Sequence, residues 1–222
     1  MKVAPQIWTD IAGARYFGVY PAIVTDIVDR QNLGRIEVKF PWLGADGANV
    51  RAWATLCTPY ADDDQGLEVL PAKDTQVVVA FEGGLLRRPY IVGSTWNGVE
   101  SMPEKPAAAN NIRVFKSRAK SKLEFDDTSG AAKVTIIMQS GHKVVLDDQQ
   151  KQIVIHHANG CDITLTATQI TIKANQSVDI TAPMLNVHAP TSNFDGIINC
   201  TTLTAKTSVV SPLYTTGVGN IL

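Results

Sequence analysis

From Val19 onward the chain alternates apolar and polar residues with a period of two. Ile23, Thr25 and Ile27, then Ile36, Val38 and Phe40, flank the polar turn Asp29–Gly34, which predicts a β-hairpin. Pro41-Trp42-Leu43-Gly44 ends its second strand, and Val50–Cys57, with Trp53 inside it, predicts a third. Val77–Phe81 is a short continuous apolar run that fits a buried strand. Gly83-Gly84 supplies the next turn, and Pro89–Gly93 the fifth strand. Five short strands within about 80 residues, punctuated by Gly and Pro, predict a small closed β-barrel. Helical spacing is confined to Ile7–Tyr16, where Ile7 and Ile11 lie four apart and predict a short helix.

Gly98–Asn111 carries two prolines and an alanine run and predicts a linker, because Pro lacks a donor and holds its predecessor extended. Beyond it a repeat begins. Leu123-Glu124-Phe125-Asp126-Asp127 recurs 21 residues later as Val144-Val145-Leu146-Asp147-Asp148. Apolar pairs follow at alternating positions: Ile153/Ile155, Ile163/Leu165, Ile170/Ile172, Val178/Ile180 and Leu185/Val187. Each pair predicts a very short strand with two inward side chains, which needs stacked copies to bury them. Two arrangements fit. A single chain can coil with three short sides per turn, or three identical chains can share one axis, each supplying one side. The three-chain form closes every edge against a neighbour, so that each strand pairs with sister chains.

Charge sharpens this division. Lys and Arg total 20 and Asp and Glu 21, a net charge of -1, which argues against a general nucleic-acid binder. Residues 151–222 hold only six of these charges, Lys151, Asp162, Lys173, Asp179, Asp195 and Lys206, together with 12 threonines. All four tryptophans precede residue 97. A thin shaft of Ile, Val and Thr has little room for long side chains, and β-branched residues suit a pleated surface. On this reading Lys173 faces outward beside inward Ile172, and Asp162 and Asp179 sit outside beside Ile163 and Ile180. The start of the chain predicts no signal peptide, and no apolar run is long enough for a membrane-spanning helix.

Candidate chemistry is sparse. Cys57, Cys161 and Cys200 are too widely spaced for a zinc pattern and read as small buried or half-buried residues in a reducing cytoplasm. In His156-His157, the second residue has inward parity, so three chains could gather His157 into a ring that binds a metal or anion. The favoured reading ends the strand at His156 and turns both rings to water near Asn159-Gly160. His188 follows inward Val187 and points outward. Asp62-Asp63-Asp64 lacks calcium-loop spacing and reads as a solvated acidic loop. Arg87-Arg88 reads as an exposed turn. No nucleophile motif, phosphate loop or paired catalytic carboxylates stand out, so no catalytic, metal or cofactor-binding residue is expected.

The order Gln65-Gly66-Leu67-Glu68-Val69-Leu70-Pro71, then Thr75–Phe81, then Gly83-Gly84-Leu85-Leu86-Arg87-Arg88-Pro89-Tyr90-Ile91-Val92-Gly93 carries a resemblance. So do the entry strands and the block Asn111–Arg118 leading into Phe125–Gly130. Together they resemble the central spike proteins of contractile tails, the family that includes phage baseplate assembly protein V and the type VI secretion valine-glycine repeat protein G. The resemblance implies an all-β homotrimer. An N-terminal segment (residues 1–17) would precede a five-stranded oligonucleotide/oligosaccharide-binding (OB) barrel (18–97), a linker (98–112) and an intertwined triple-stranded β-helix with its tip (113–222). It implies a non-enzymatic spike at a baseplate, assembled in the bacterial cytoplasm. A hub protein would meet the barrel, a separate tip protein could dock on Ile221-Leu222, and sheath contraction would drive the spike through a target envelope. Some short spikes end in a His-x-His tip that binds iron. This chain has no histidine there, so that site is not carried over and no cofactor is implied. Two other classes compete: an OB module on a β-solenoid stalk that binds oligonucleotide or saccharide, and a polysaccharide-cleaving β-helix. The near-neutral charge opposes the first, and the wide spacing of Asp162, Asp179 and Asp195 opposes the second.

Overall fold

The computed structural model describes residues 14–43 and 50–211. The predicted helix at Ile7–Tyr16 falls largely outside them, as does the apolar ending Ile221-Leu222. Fourteen strands run in chain order among the described residues: β1 (Val19–Asp26), β2 (Arg35–Lys39), β3 (Arg51–Leu56), β4 (Ala61–Asp62), β5 (Gln65–Gly66), β6 (Gln76–Phe81), β7 (Pro89–Ser94), β8 (Ile112–Lys116), β9 (Lys122–Asp126), β10 (Lys133–Ile137), β11 (Lys143–Asp147), β12 (Gln152–His156), β13 (Asp162–Leu165) and β14 (Ile170–Lys173).

The five strands expected of the barrel close it in the order β1-β2-β3-β7-β6. Four neighbours pair antiparallel, and β3 meets β7 in parallel through Thr55↔Tyr90 and Leu56↔Ile91. The period-two pattern dictates the interior. Ala22 and Val24, Ile36 and Val38, Ala54, Val77 and Val79, and Ile91 all point inward and are fully buried. Register shifts at Val24/Asp26 and Val78/Val79 add the local twist that closure demands. One end is plugged by aromatic rings. Tyr20 stacks on Trp42 with centroids 4.6 Å apart, and Phe40 meets Phe81 edge-on at 5.5 Å. The Trp42 indole N–H donates to the Pro21 carbonyl at 2.9 Å.

Two features escape the periodicity. The β4–β5 hairpin is short, polar and exposed, so it has no apolar signature. Its Gly66, at φ +149°, lies so close to Tyr60 that a Cβ would sit 2.7 Å from the Tyr60 carbonyl oxygen. The β1–β2 turn is organised by Asp29, which is almost fully buried. Its carboxylate accepts from the Gln31 and Leu33 N–H groups and binds Arg35 through two nitrogens, at 2.8 and 3.1 Å. The Arg35 side chain holds the Asp29 carboxyl well below the usual carboxylate range.

Residues 95–111 contain no strand. After them β8 to β14 form one antiparallel meander in strict chain order. This explains the 21-residue recurrence. Its two copies are β9 and β11, which run in the same direction because one strand, β10, reverses between them. The period is therefore two strands and two turns, not three sides of a coil. For β12 to β14 this differs from the expectation that each strand pairs with sister chains. Their ladder hydrogen bonds are made within the chain, since each turn leaves enough residues to reverse direction. Residues 176–211, which belong to a second compact unit, contain no strand, so the pairs Val178/Ile180 and Leu185/Val187 are exposed and outside any sheet.

Candidate assembly surface

Direct partners across an antiparallel ladder share a face, so the register assigns every side chain of the meander. One row runs Phe115↔Leu123↔Ile136↔Val144↔Ile155↔Ile163↔Ile172. The row beside it runs Arg113↔Phe125↔Val134↔Leu146↔Ile153↔Leu165↔Ile170. Except for Arg113 at one end, this whole face is apolar. With seven strands it is roughly 30 Å long.

The face has no cover among the described residues. Phe115 is 60% exposed, Ile155 46% and Ile172 59%. Isolated exposed apolar residues are ordinary, but a continuous stripe of this length marks an interaction surface. Ridges of β-branched and aromatic residues give it the composition of a core cut open. The segment after it adds more of the same: Ile180 is 67% exposed, Val187 66% and Ile197 97%.

The opposite face is more polar. Its centre holds Val114, Glu124, Thr135, Val145, Val154, Thr164 and Thr171, and its two margins carry charges. Asp162 and Lys173 are direct partners here, behind Ile163↔Ile172, so the expected outward parity of both holds. Asp179 lies where no strand forms and accepts from the Ser177 hydroxyl. Lys122 donates to Glu124 at 2.5 Å and lies 3.6 Å from Glu104. The Glu124 carboxylate, then Glu104, raises the Lys122 pKa above its ordinary value.

The candidate histidines separate. The strand ends at His156, as expected, but His156 does not face water freely. It is half-buried on the more polar face, with its Nδ1 2.5 Å from Asp162. His157 lies beyond the strand and packs against His142, with ring centroids 4.3 Å apart. His142 carries no sequence signal of its own, although continuing the β11–β12 register places it opposite His157. The Nδ1 atoms of both rings accept backbone hydrogen bonds, His142 from Ala158 at 3.1 Å and His157 from Asn159 at 3.2 Å. In this arrangement the Nδ1 atom of each ring is engaged by backbone within its own chain. Among the described residues no group of three or more His, Cys, Asp or Glu is placed to hold a metal ion.

The remaining candidates take structural places. Asp62 to Asp64 form the exposed tip of the β4–β5 hairpin, where the Asp63 N–H donates to Asp62. Arg87 and Arg88 lie in a turn, and Arg88 pairs with Glu82 at 3.2 Å. His188 is exposed outside any strand, and so is Val187, so its parity is not set by a sheet. Cys57 and Cys200 are exposed rather than buried, and Cys161 is half-buried. Cys57 ends up outside because it follows the last residue of β3 and joins the barrel through its N–H, donated to the Ile91 carbonyl.

Residues 20–96, the barrel, match the family described as the type VI secretion system/phage-baseplate injector OB domain. The chain is also 25% identical over 133 residues to the type VI secretion system spike protein VgrG1b of Pseudomonas aeruginosa, covering 55% of this chain and 18% of that protein. It thus spans about a fifth of the length of that curated relative. Both findings bear out the resemblance carried by the barrel strands and their turns.

Proposed function

With a barrel that matches the injector OB-domain family as premise, we propose that this chain is one subunit of a trimeric central spike in a contractile tail or injection system. The observation that carries the proposal is the uncovered apolar face of the meander. Three copies around one axis would turn their faces inward and bury all three stripes at once, each chain forming one side of a prism. A stiff, narrow shaft follows, with in-chain ladders along each side and apolar packing at the centre.

The role is mechanical. Contraction of other proteins supplies the work, and the shaft transmits it to a target envelope without unfolding. A hub protein at the barrel and a separate tip protein at the far end complete the assembly.

An oligonucleotide-binding role is less favoured by the barrel itself. Binding of that kind needs aromatic rings displayed as platforms for bases. Here Tyr20, Trp42, Phe40 and Phe81 pack on one another at 4.6 to 6.4 Å, and although Tyr60 and Trp96 are exposed, the net charge of -1 supplies no basic excess to track a phosphate backbone. The deciding experiment is native mass spectrometry with sedimentation velocity. A species of three times 24.0 kDa that survives SDS without heating is expected. A 24.0 kDa monomer across the micromolar range overturns the proposal.

A further inference from the structure

The meander has a charge polarity that the apolar face does not explain. Each copy of the 21-residue repeat starts with a lysine at one margin of the sheet, Lys122 or Lys143, and ends with an Asp-Asp pair at the other. The β8–β9 turn adds Lys116, Arg118 and Lys120 to the lysine margin, all exposed. None of these three, nor Lys143, forms an ion pair with a described residue. The opposite margin carries Asp126, Asp127, Asp147 and Asp148. All four have in-chain partners: Asp126 accepts from the Thr128 N–H and hydroxyl, and ion pairs join Asp127 to Arg113 at 3.0 Å, Asp147 to Lys133 at 3.7 Å and Asp148 to Lys151 at 2.7 Å. The Asp127–Arg113 and Asp148–Lys151 pairs are more than half exposed on both sides and so are weak and exchangeable.

Geometry makes this polarity useful. In a ring of identical chains related by rotation, every interface is heterologous, so one margin of a chain always meets the other margin of its neighbour. The bases sit at the β8–β9 and β10–β11 turns, the acids at the β9–β10 and β11–β12 turns. The two sets share a two-strand spacing, about 10 Å, and are offset by one strand, about 5 Å.

We infer that the lysine margin of one chain docks against the Asp-Asp margin of the next copy, forming an ion-pair seam at each corner of the prism that sets the vertical register. This deepens the trimeric reading above and rests on it. Arg118, Lys120 and Lys143 find Asp127 and Asp148 of the neighbour, and like charges oppose two-fold pairings in which matching margins meet.

Charge reversal tests the seam. One variant reverses the basic margin (Arg118→Glu, Lys120→Glu, Lys143→Glu), a second the acidic margin (Asp127→Lys, Asp148→Lys), and a third combines all five. Native mass spectrometry over a dilution series reads the concentration at which trimer gives way to monomer. Each single-margin variant is expected to raise that concentration roughly tenfold or more, and the combined variant to bring it back to within about threefold of the parent. Circular dichroism confirms the sheet in each. If a triple variant fails to fold, the pair Lys143→Glu and Asp148→Lys with their double variant gives the same cycle. Salt supplies an independent reading, since raising it from about 0.05 M to about 0.5 M should weaken the parent trimer and not the apolar packing. Single-margin variants that assemble like the parent, or a combined variant no better than the worse single one, overturn the seam while leaving the trimer intact. A monomeric parent instead overturns the trimeric reading.

Discussion

Ile155→Asp isolates the proposed burial of the apolar face. Ile155 sits mid-strand in β12, between Val144 and Ile163, and is 46% exposed in the single chain. Full burial of an isoleucine side chain contributes about 1.5–3 kcal/mol, so covering the exposed half is worth about 1 kcal/mol per chain. Three copies at one level of the axis give about 3 kcal/mol, or roughly a hundredfold in assembly, for Ile155→Ala. Aspartate adds three unpaired carboxylates facing one another in an apolar channel, which costs several kcal/mol more. In the isolated chain the same change touches a half-exposed position and should cost no more than about 1 kcal/mol. Val154→Thr, on the opposite face beside Val145 and Thr164, is the matched control. Native mass spectrometry and thermal melting read both variants. Ile155→Asp should give monomers that keep the sheet signal, while Val154→Thr should assemble normally. If Ile155→Asp assembles and melts like the parent, the apolar face is not where the chains meet.

Asp29 has its pKa depressed by Arg35, so its stabilising contribution is present above the ordinary Asp pKa and is lost as pH falls below it. Asp29→Asn should lower the barrel's melting temperature at pH 7 and flatten its decline between about pH 4 and about pH 2, measured by circular dichroism. Phe40→Ala removes a fully buried ring at the aromatic plug and should cost about 3–5 kcal/mol in denaturant unfolding. Gly66→Ala drives a Cβ against the Tyr60 carbonyl and should lower stability by about 1–3 kcal/mol. Limited proteolysis of that variant should cut faster in the β4–β5 hairpin. A chain ending at residue 175 should keep the barrel and meander spectra but lose resistance to unheated SDS, read on a gel.

The barrel is legible in the sequence because its strands bury one face each. Ile36 and Val38, or Val77 and Val79, announce themselves by period two, and Gly83-Gly84 marks the turn between β6 and β7. The meander is legible as short strands but not as a connectivity. Its repeat copies, β9 and β11, are similar because both run the same way, and β10 between them looks different because it runs the other way. Sequence spacing alone does not separate a coil of three sides from a hairpin pair of the same length. Polar determinants are the least visible. Asp29 and Arg35, His156 and Asp162, and His142 and His157 are each six or more residues apart, and only the turn or ladder register brings them together. The exposure of Cys57 depends on where β3 ends, which its apolar neighbours do not reveal.

Spacing, turn residues and a proline together bear on why the meander stops at Lys173. Its successive strands start 8 to 11 residues apart, which leaves room for four or five paired residues and a turn that reverses the chain. The step has already shortened to seven residues between Leu165 and Ile172, and after β14 it stays at eight and seven, from Ile172 to Ile180 to Val187. β13 and β14 accommodate that step by shortening to four residues around a four-residue turn; a five-residue strand would leave only two or three, and tight turns of that length need a residue at positive φ. Lys120, Gly130, Gly141, Lys151 and Gly160 supply one in each of the first five turns of the meander. Residues 174–195 contain no glycine and none of their residues has positive φ. Pro183 in that stretch has no N–H to give to a ladder, which further opposes an in-chain reversal there. A chain that cannot turn back must satisfy its backbone elsewhere, and buried amide groups do not stay unpaired. Under the proposed assembly the partners are the two sister chains, so the in-chain sheet of residues 112–173 hands over to pairing between chains after β14, where short steps coincide with a proline and no residue at positive φ. The low charge of that stretch fits the same cause, since a strand with neighbours on both edges and an apolar axis behind it exposes little surface for long charged side chains.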